Sequence, residues 1–431
     1  MTRAAFVSID LTALQRTLDV AKRERTRNNP SAAPAAVQAV YDELGRKDKG
    51  FWLLSTNPKV EKGLASNYLT GIMHFAAGDN ARKIVMNDPS AFGLTEARAA
   101  NIKSVCPFAS KDCLNVCLVS SGRGGMGANV SQFKINNTTE ARIKRQLQWQ
   151  FQGEAFFTLL IIELVKMREM ALKKGLKFAA RLNGTSDIAF ENIPVKISKD
   201  LAEWINRNYR TKVKAGTFQS IFRALPKIQF YDYTKIPIRM RLWIRGEVPP
   251  NYYLTFSMSE KSSNRILCEE ILKSGKGNVA VPFDTVPTRM LKDGMRKVSW
   301  TPMPYALGIK SNGSVAFFDV FDSDEDDLRF LDPRRVGLGK IAGLRFKLPT
   351  DKGRKALIEA SDFRLKTKGE MLPIISVQGG NVLNPGPGWA TITQDIKAGV
   401  WPREYPGRRR AVGIRSGKAW TRAAIRRKDR R

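Results

Sequence analysis

Four times between Phe178 and Asp284 a short apolar or β-branched run stops abruptly in polar residues. The runs are Phe178-Ala-Ala-Arg-Leu-Asn183-Gly-Thr-Ser-Asp187, Ile228-Gln-Phe-Tyr-Asp232-Tyr-Thr-Lys235, Tyr253-Leu-Thr-Phe-Ser257-Met-Ser259-Glu260 and Asn278-Val-Ala-Val-Pro-Phe283-Asp284. Helical patterns lie among them, around Asp200 to Tyr209 and Ser263 to Lys273. Strand–helix alternation predicts a parallel sheet with crossover helices, and parallel strands gather functional groups at their carboxyl ends, where the polar residues fall here. No Gly-x-Gly-x-x-Gly opens a βαβ unit. The expected fold class is therefore α/β, with a partial (β/α) barrel preferred to an open dinucleotide-binding sheet.

The patterning also divides the chain. Residues 1–50 read as an N-terminal helical appendage, with Val37, Val40, Tyr41 and Leu44 on one side of a helix after a polar break. Phe51-Trp-Leu-Leu-Ser-Thr56 reads as a buried strand that opens into a polar turn. Helices are expected over Thr138–Gln152 and Glu154–Lys174, the second ending at Gly175 with Lys173 and Lys174 in its last turn. Residues 51–350 form the barrel-like core, closed by a strand within Gly337–Leu348; 351–400 form an irregular extension, and 401–431 a basic tail.

Three of the four cysteines fall within twelve positions, Cys106, Cys113 and Cys117. This C-x6-C-x3-C spacing supplies three soft donors, which suits an iron–sulfur cluster with one open position or a zinc ion. A disulfide or buried thiols are the plain alternative, weakened by the polar Lys111, Asp112 and Asn115. Cys268 sits on the apolar rhythm of a helix and reads as core. Downstream, Ser120-Ser-Gly-Arg123-Gly-Gly-Met-Gly127 offers glycines for close backbone approach and a basic residue for a phosphate or carboxylate, or is a plain flexible loop. The one histidine, His74, lies among Ile72, Met73, Phe75 and Ala76 and suggests a half-buried structural position. Acid–base chemistry then falls to carboxylates, Lys, Tyr or metal-bound water.

The 431 residues carry 73 Lys+Arg against 40 Asp+Glu, a formal charge of +33. That excess is a footprint for polyanions, DNA or RNA first. From Arg403 to Arg431 there are twelve Lys/Arg and two acids, including Arg408, Arg409, Arg410, Arg426, Arg427 and Arg430, with Trp401, Tyr405 and Trp420 for stacking. Such a tail is expected to be disordered alone and to hold nucleic acid. Asp319 to Asp332 is the one dense acidic patch, read as a solvated loop or an internal partner for basic groups before a Mg²⁺ or Ca²⁺ site. The longest apolar run, Phe156 to Val165, is broken by Thr158 and Glu163 and falls short of the ~20 residues a bilayer span needs. With no signal pattern at the N-terminus, the host cytoplasm is the expected compartment and the virion the alternative.

Taken together, several segments resemble the gene product 88 family of phage proteins. They are Ser55-Thr-Asn-Pro-Lys59, the C-P-x-A-S-x-x-C-x-x-x-C-L at 106–118 with Ser121-Gly-Arg123, Arg181-Leu-Asn-Gly-Thr-Ser-Asp187, Phe230-Tyr-Asp-Tyr-Thr-Lys235, Leu254-Thr-Phe-Ser257 and Asp322-Ser-Asp324-x-x-Asp327-x-Arg329-x-x-Asp332. The family's spacing and barrel-like pattern are similar to radical S-adenosylmethionine enzymes. The resemblance implies a [4Fe–4S] cluster on Cys106, Cys113 and Cys117 at the mouth of a partial barrel, with S-adenosylmethionine as a further cofactor. Asp187, Asp232, Tyr233 and Lys235 are then expected as proton-transferring groups, and Arg123, Asn183, Ser186 and Ser257 as substrate-positioning ones. The chain departs from the C-x3-C-x2-C signature of those enzymes and from the Asp-Gly-Asp usual in the family at 322–324. The expected function is an iron–sulfur enzyme working on or beside nucleic acid. The alternatives are a replication-associated DNA-binding protein with structural zinc, a nuclease using Tyr231 or Tyr233 with the acidic patch, and a DNA-condensing virion protein.

Overall fold

Five strands that follow one another along the chain also lie side by side, and the rest of the architecture is added around them. In a computed structural model the described residues are 35–44, 51–55, 63–115, 117, 135–284, 287–292, 295–300, 303–324, 326–333, 337–346, 365 and 372–378. They belong to the unit Met1–Leu383; the basic tail and Arg123 lie outside them.

In chain order the strands are β1 (Leu54–Ser55), β2 (Tyr68–Met73), β3 (Lys177–Arg181), β4 (Val195–Ile197), β5 (Gly216–Phe218), β6 (Gln229–Thr234) and β7 (Tyr252–Ser257). They continue with β8 (Val279–Phe283), β9 (Pro287–Lys292), β10 (Met295–Trp300), β11 (Ala306–Ser311), β12 (Ser314–Asp322), β13 (Ile341–Arg345) and β14 (Ile374–Ser376). The helices are α1 (Ala35–Glu43), α2 (Asn80–Asn87), α3 (Glu96–Ala100), α4 (Lys111–Asn115) and α5 (Asn137–Phe151), then α6 (Gly153–Lys173), α7 (Lys199–Asn208), α8 (Ile221–Ala224), α9 (Pro237–Ile244) and α10 (Ser262–Ser274).

Ten strands form the main sheet in the order β1-β2-β3-β6-β7-β8-β13-β12-β11-β14. The seven from β2 to β12 are parallel. β1 is antiparallel at one edge, while β11 runs antiparallel to β12 and carries β14 beside it. The sheet is thus mixed and mostly parallel, and among the described residues it is open, with β1 and β14 as its edges. Strands β4 and β5 pair as a separate ribbon in the crossover from β3 to β6.

All four runs singled out in the sequence are strands of this sheet, β3, β6, β7 and β8, and the two expected long helices are α5 and α6. Helix α6 buries thirteen residues, from Ala155 to Ala171, against β1, β2, β3 and β4. Val37, Tyr41 and Leu44 of the α1 segment lie in the same hydrophobic core. Cys268 is fully buried on α10, as its apolar setting predicts.

The expected strand from Phe51 starts only at Leu54, later than its apolar content suggests, and Thr56 lies outside the described residues. Its amides are bound by a side chain instead of a neighbouring strand: the buried Glu163 carboxylate, in the middle of α6, accepts from Trp52 N at 2.7 Å, Leu53 N at 3.0 and 3.2 Å, and Leu54 N at 2.9 Å. Burial pushes the Glu163 carboxyl upward, while these three amides hold its charged form. Each buried amide left without an acceptor costs about 1–3 kcal/mol. Glu163→Ala is therefore expected to lower the unfolding free energy by at least about 2 kcal/mol, seen as an earlier urea midpoint at unchanged slope. An unmoved midpoint would remove this carboxylate from its anchoring role.

Candidate active site at the strand ends

The loop that leaves β3 is folded by one side chain. Asn183 Oδ1 accepts from Ile188 N and from Ser186 Oγ, both at 2.8 Å, while Nδ2 donates to Ile188 O at 2.9 Å and to Asp232 Oδ2 at 3.0 Å. The next residue donates its N–H to Met73 O at 2.9 Å, and a Cβ there would stand 2.5 Å from that oxygen. Only glycine fits, so Gly184 lets the loop lie on the end of β2.

Beneath the loop is a buried polar network on the side of the sheet that carries Phe230 and Leu254. Asp232 on β6 accepts from Asn183 N at 2.8 Å and from Tyr252 OH at 3.0 Å. Arg239 on α9 donates to Tyr252 OH at 2.5 Å, to Glu191 Oε1 at 2.6 Å and Oε2 at 2.9 Å, and to Asp187 Oδ1. Its side chain is 1% exposed. Burial works against the guanidinium charge, and the Tyr252 oxygen, Glu191 and Asp187 outweigh it, so Arg239 stays charged well above its usual range. Burial pushes Asp232 up to about 6, against the pull of Arg239, Asn183 and Arg181.

Pleating sends the next residue of β6 to the opposite face. Tyr233 lies there under Arg181, whose guanidinium carbon is 4.5 Å from its ring centroid. Arg181 pairs with Asp327 at 3.2 Å, and Phe330 packs edge-on against Tyr68 and Tyr231. The acidic run is thus an internal partner for arginines: Asp322 holds Arg345 at 2.5 and 2.7 Å, and Asp326 and Asp332 flank the buried Arg329. The structure does bring Tyr231 and Tyr233 to the acidic segment, but burial pushes both phenols upward, away from a nucleophile's range. Lys235 ends this strand; its N–H donates to Asp187 Oδ2 and its Nζ to Ser257 Oγ, both at 2.7 Å. Asn183, Ser186, Asp187 and Asp232 therefore form one network, to which Lys235 is joined through Asp187 and Ser257 through Lys235, while Tyr233 lies on the other face.

The cysteine segment crosses these strand ends and is tied to two of them. Asp187 N donates to Val105 O at 2.8 Å. Ser110 Oγ donates to Glu260 Oε2 beyond β7 at 2.8 Å and accepts from Cys113 N at 3.0 Å, capping α4. Cys106, Cys113 and Cys117 are all half-buried. Burial pushes the Cys106 thiol up to about 12, and Cys117 and Cys113 are near enough to add to the effect. Among the described residues no three His, Cys, Asp or Glu side chains converge as a single-ion site. Beside Cys117, Arg142 Nη1 is buried without a hydrogen-bond partner among the described residues. The three thiols thus lie near one another without converging on a point, and the Arg142 guanidinium stands beside Cys117.

His74 is half-buried, with Nδ1 3.4 Å from Ser55 Oγ and its carbonyl accepting from Arg145 at 2.5 Å, as expected of a structural histidine. Residues that sequence reasoning passed over include Arg239, Glu191, Tyr252 and Glu260. An arginine among Pro237, Ile238 and Met240 at the start of a helix was the available signal for the first.

The model of the family Gene product 88 matches residues 52–358, which takes in the cysteine segment, the three strand-end loops and the acidic run. The chain belongs to the gene product 88 family. No curated protein and no solved structure matches it. The family match thus covers the whole of the arrangement described above, from β1 to β13.

Two outcomes follow from the network. Arg239→Met leaves Asp187 and Glu191 buried without their cation and is expected to cost about 3–5 kcal/mol in urea unfolding. Asp232 has a folded-state value of about 6 against 3.8 when free. A raised carboxyl favours folding below the lower value, and that contribution is lost as pH rises through about 6. Asp232→Asn is expected to flatten the dependence of stability on pH between about 4 and 6; a slope equal to wild type would place the titration elsewhere.

Proposed function

We propose that this chain is an iron–sulfur protein with a radical-enzyme-like partial (β/α) barrel that acts on or beside nucleic acid. The observation that carries the reading is the double anchorage of the cysteine segment, by Asp187 to the loop after β3 and by Ser110 and Glu260 to the loop after β7. Ligands for a redox group would thereby be held over the carboxyl ends of parallel strands, where such folds place their chemistry. Sequential addition of β2, β3, β6, β7 and β8 without reversal supports the barrel-like description.

In this reading Cys106, Cys113 and Cys117 hold a [4Fe–4S] cluster, which would supply single electrons, and a position left open by three protein ligands is available to S-adenosylmethionine. Lys235, whose Nζ donates to Ser257 Oγ at 2.7 Å, and Ser257 would face the substrate side and hold or move protons there. Asn183, Asp187 and Asp232 act as positioning residues: Asp187 fixes the Lys235 backbone, and Asp232 fixes Asn183. The net charge of +33 supports a nucleic-acid partner.

Anaerobic purification with iron, sulfide and zinc analysis tests this directly. About four irons and four sulfides per chain are expected in wild type, with iron lost in Cys113→Ala. One tight zinc and no iron would refute the cluster and favour a DNA-binding protein with a structural metal.

A further inference from the structure

The crossover between β3 and β6 contains more than is needed to return the chain to the sheet. Residues 194–227 fold as the β4–β5 ribbon with α7 and α8, and they hold Lys196, Lys199, Arg207, Arg210, Lys212, Lys214, Arg223 and Lys227 against two acids, Asp200 and Glu203. All eight cations are exposed. Lys199 lies 3.9 Å from Glu203 and Arg210 3.5 Å from Glu169. The other six have no carboxylate partner among the described residues. Elsewhere in the fold the cations Arg181, Arg239, Arg329 and Arg345 are paired with internal acids.

The exposure of three of the six is set by the local fold. Lys196 alternates with Val195 and Ile197, which are buried, and its register partner is Thr217 on β5. Lys212 and Lys214 flank the buried Val213, whose N–H and C=O are both held by the Asn206 amide, at 2.7 and 2.8 Å. That clasp fixes the backbone of the approach to β5 from within α7, so the two lysines are presented by a rigid segment. The ribbon follows directly on the loop of Asn183, Asp187 and Glu191.

We infer that the β4–α7–β5 insertion is a built phosphate-binding face, which holds the backbone of a nucleic-acid strand independently of the C-terminal tail. The inference rests on the nucleic-acid part of the reading above and assigns its interface. Exposed, unpaired cations on a fixed scaffold recognise phosphodiesters through charge and counterion release, without base specificity.

The test is binding of the full chain to a fluorescent DNA duplex over a range of salt. Lys196→Ala/Lys212→Ala/Lys214→Ala is compared with Lys83→Ala/Lys144→Ala/Lys273→Ala, which removes equal charge from exposed positions on α2, α5 and α10. Circular dichroism verifies that both fold. The first variant is expected to lose roughly 2–3 from the slope of log K against log salt and at least about tenfold in affinity near 0.1 M salt, the second much less. Equal losses in the two variants would overturn the face as an interface, as would binding that vanishes on removal of residues 401–431 while the first variant binds like wild type. Wild-type protein that binds anionic vesicles but not DNA would refute the nucleic-acid reading itself.

Discussion

Arg239 is the interaction on which the strand ends depend. A guanidinium almost without water contact is tolerable only when each face of its fork meets an acceptor, and here Glu191 takes it bidentately while Asp187 and the Tyr252 oxygen complete the set. Its network spans two successive crossovers and the strand after them: the loop after β3, helix α9 after β6, and the start of β7. The cation therefore does more than neutralise two carboxylates. It fixes the relative position of three strand ends, and through the Asp187 amide and carboxylate that register passes to the cysteine segment and to Lys235. An apolar residue in its place would fill the volume but leave the loops free to choose other positions.

The regular part of this fold was legible because both periods are strong in the sequence. Runs ending at Asn183, Asp232, Ser257 and Asp284 gave four adjacent parallel strands, and α5, α6, α7 and α10 lie within a residue or two of their expected bounds. What was misjudged has local causes. Trp52 and Leu53 look like a strand because they are apolar and precede β1, yet Glu163 replaces the neighbouring strand as acceptor. The hairpin of β11 and β12 carried a usable signal, Asn312-Gly313, whose φ values of 48° and 80° suit the two central positions of a tight hairpin turn. That dipeptide was overshadowed by the acidic run beside it.

The candidate site was legible by position and less so by grouping. Polar residues at strand ends do gather, but pleating divides them: Asp232 points with Phe230 and Leu254, whereas Tyr233 points with Tyr231 and Tyr253. Neighbours in sequence thus serve different faces, one joined by Arg239 and the other covered by the acidic run. Arg239 could not be recognised as their link, because an arginine on a short helix is usually a solvated one, and its partners lie 48 and 52 residues away in the chain.

The last strand of the sheet has a meaning for the family. The match to gene product 88 ends at residue 358, while β14, at 374–376, lies past it and covers the free side of β11, with Ser376 O accepting from Arg265 on α10 at 3.0 Å. A relative that stopped where the match stops would leave β11 as a bare edge, with unpaired amides and carbonyls open to any extended chain. Such a chain would need a different cover there, a second copy of itself included.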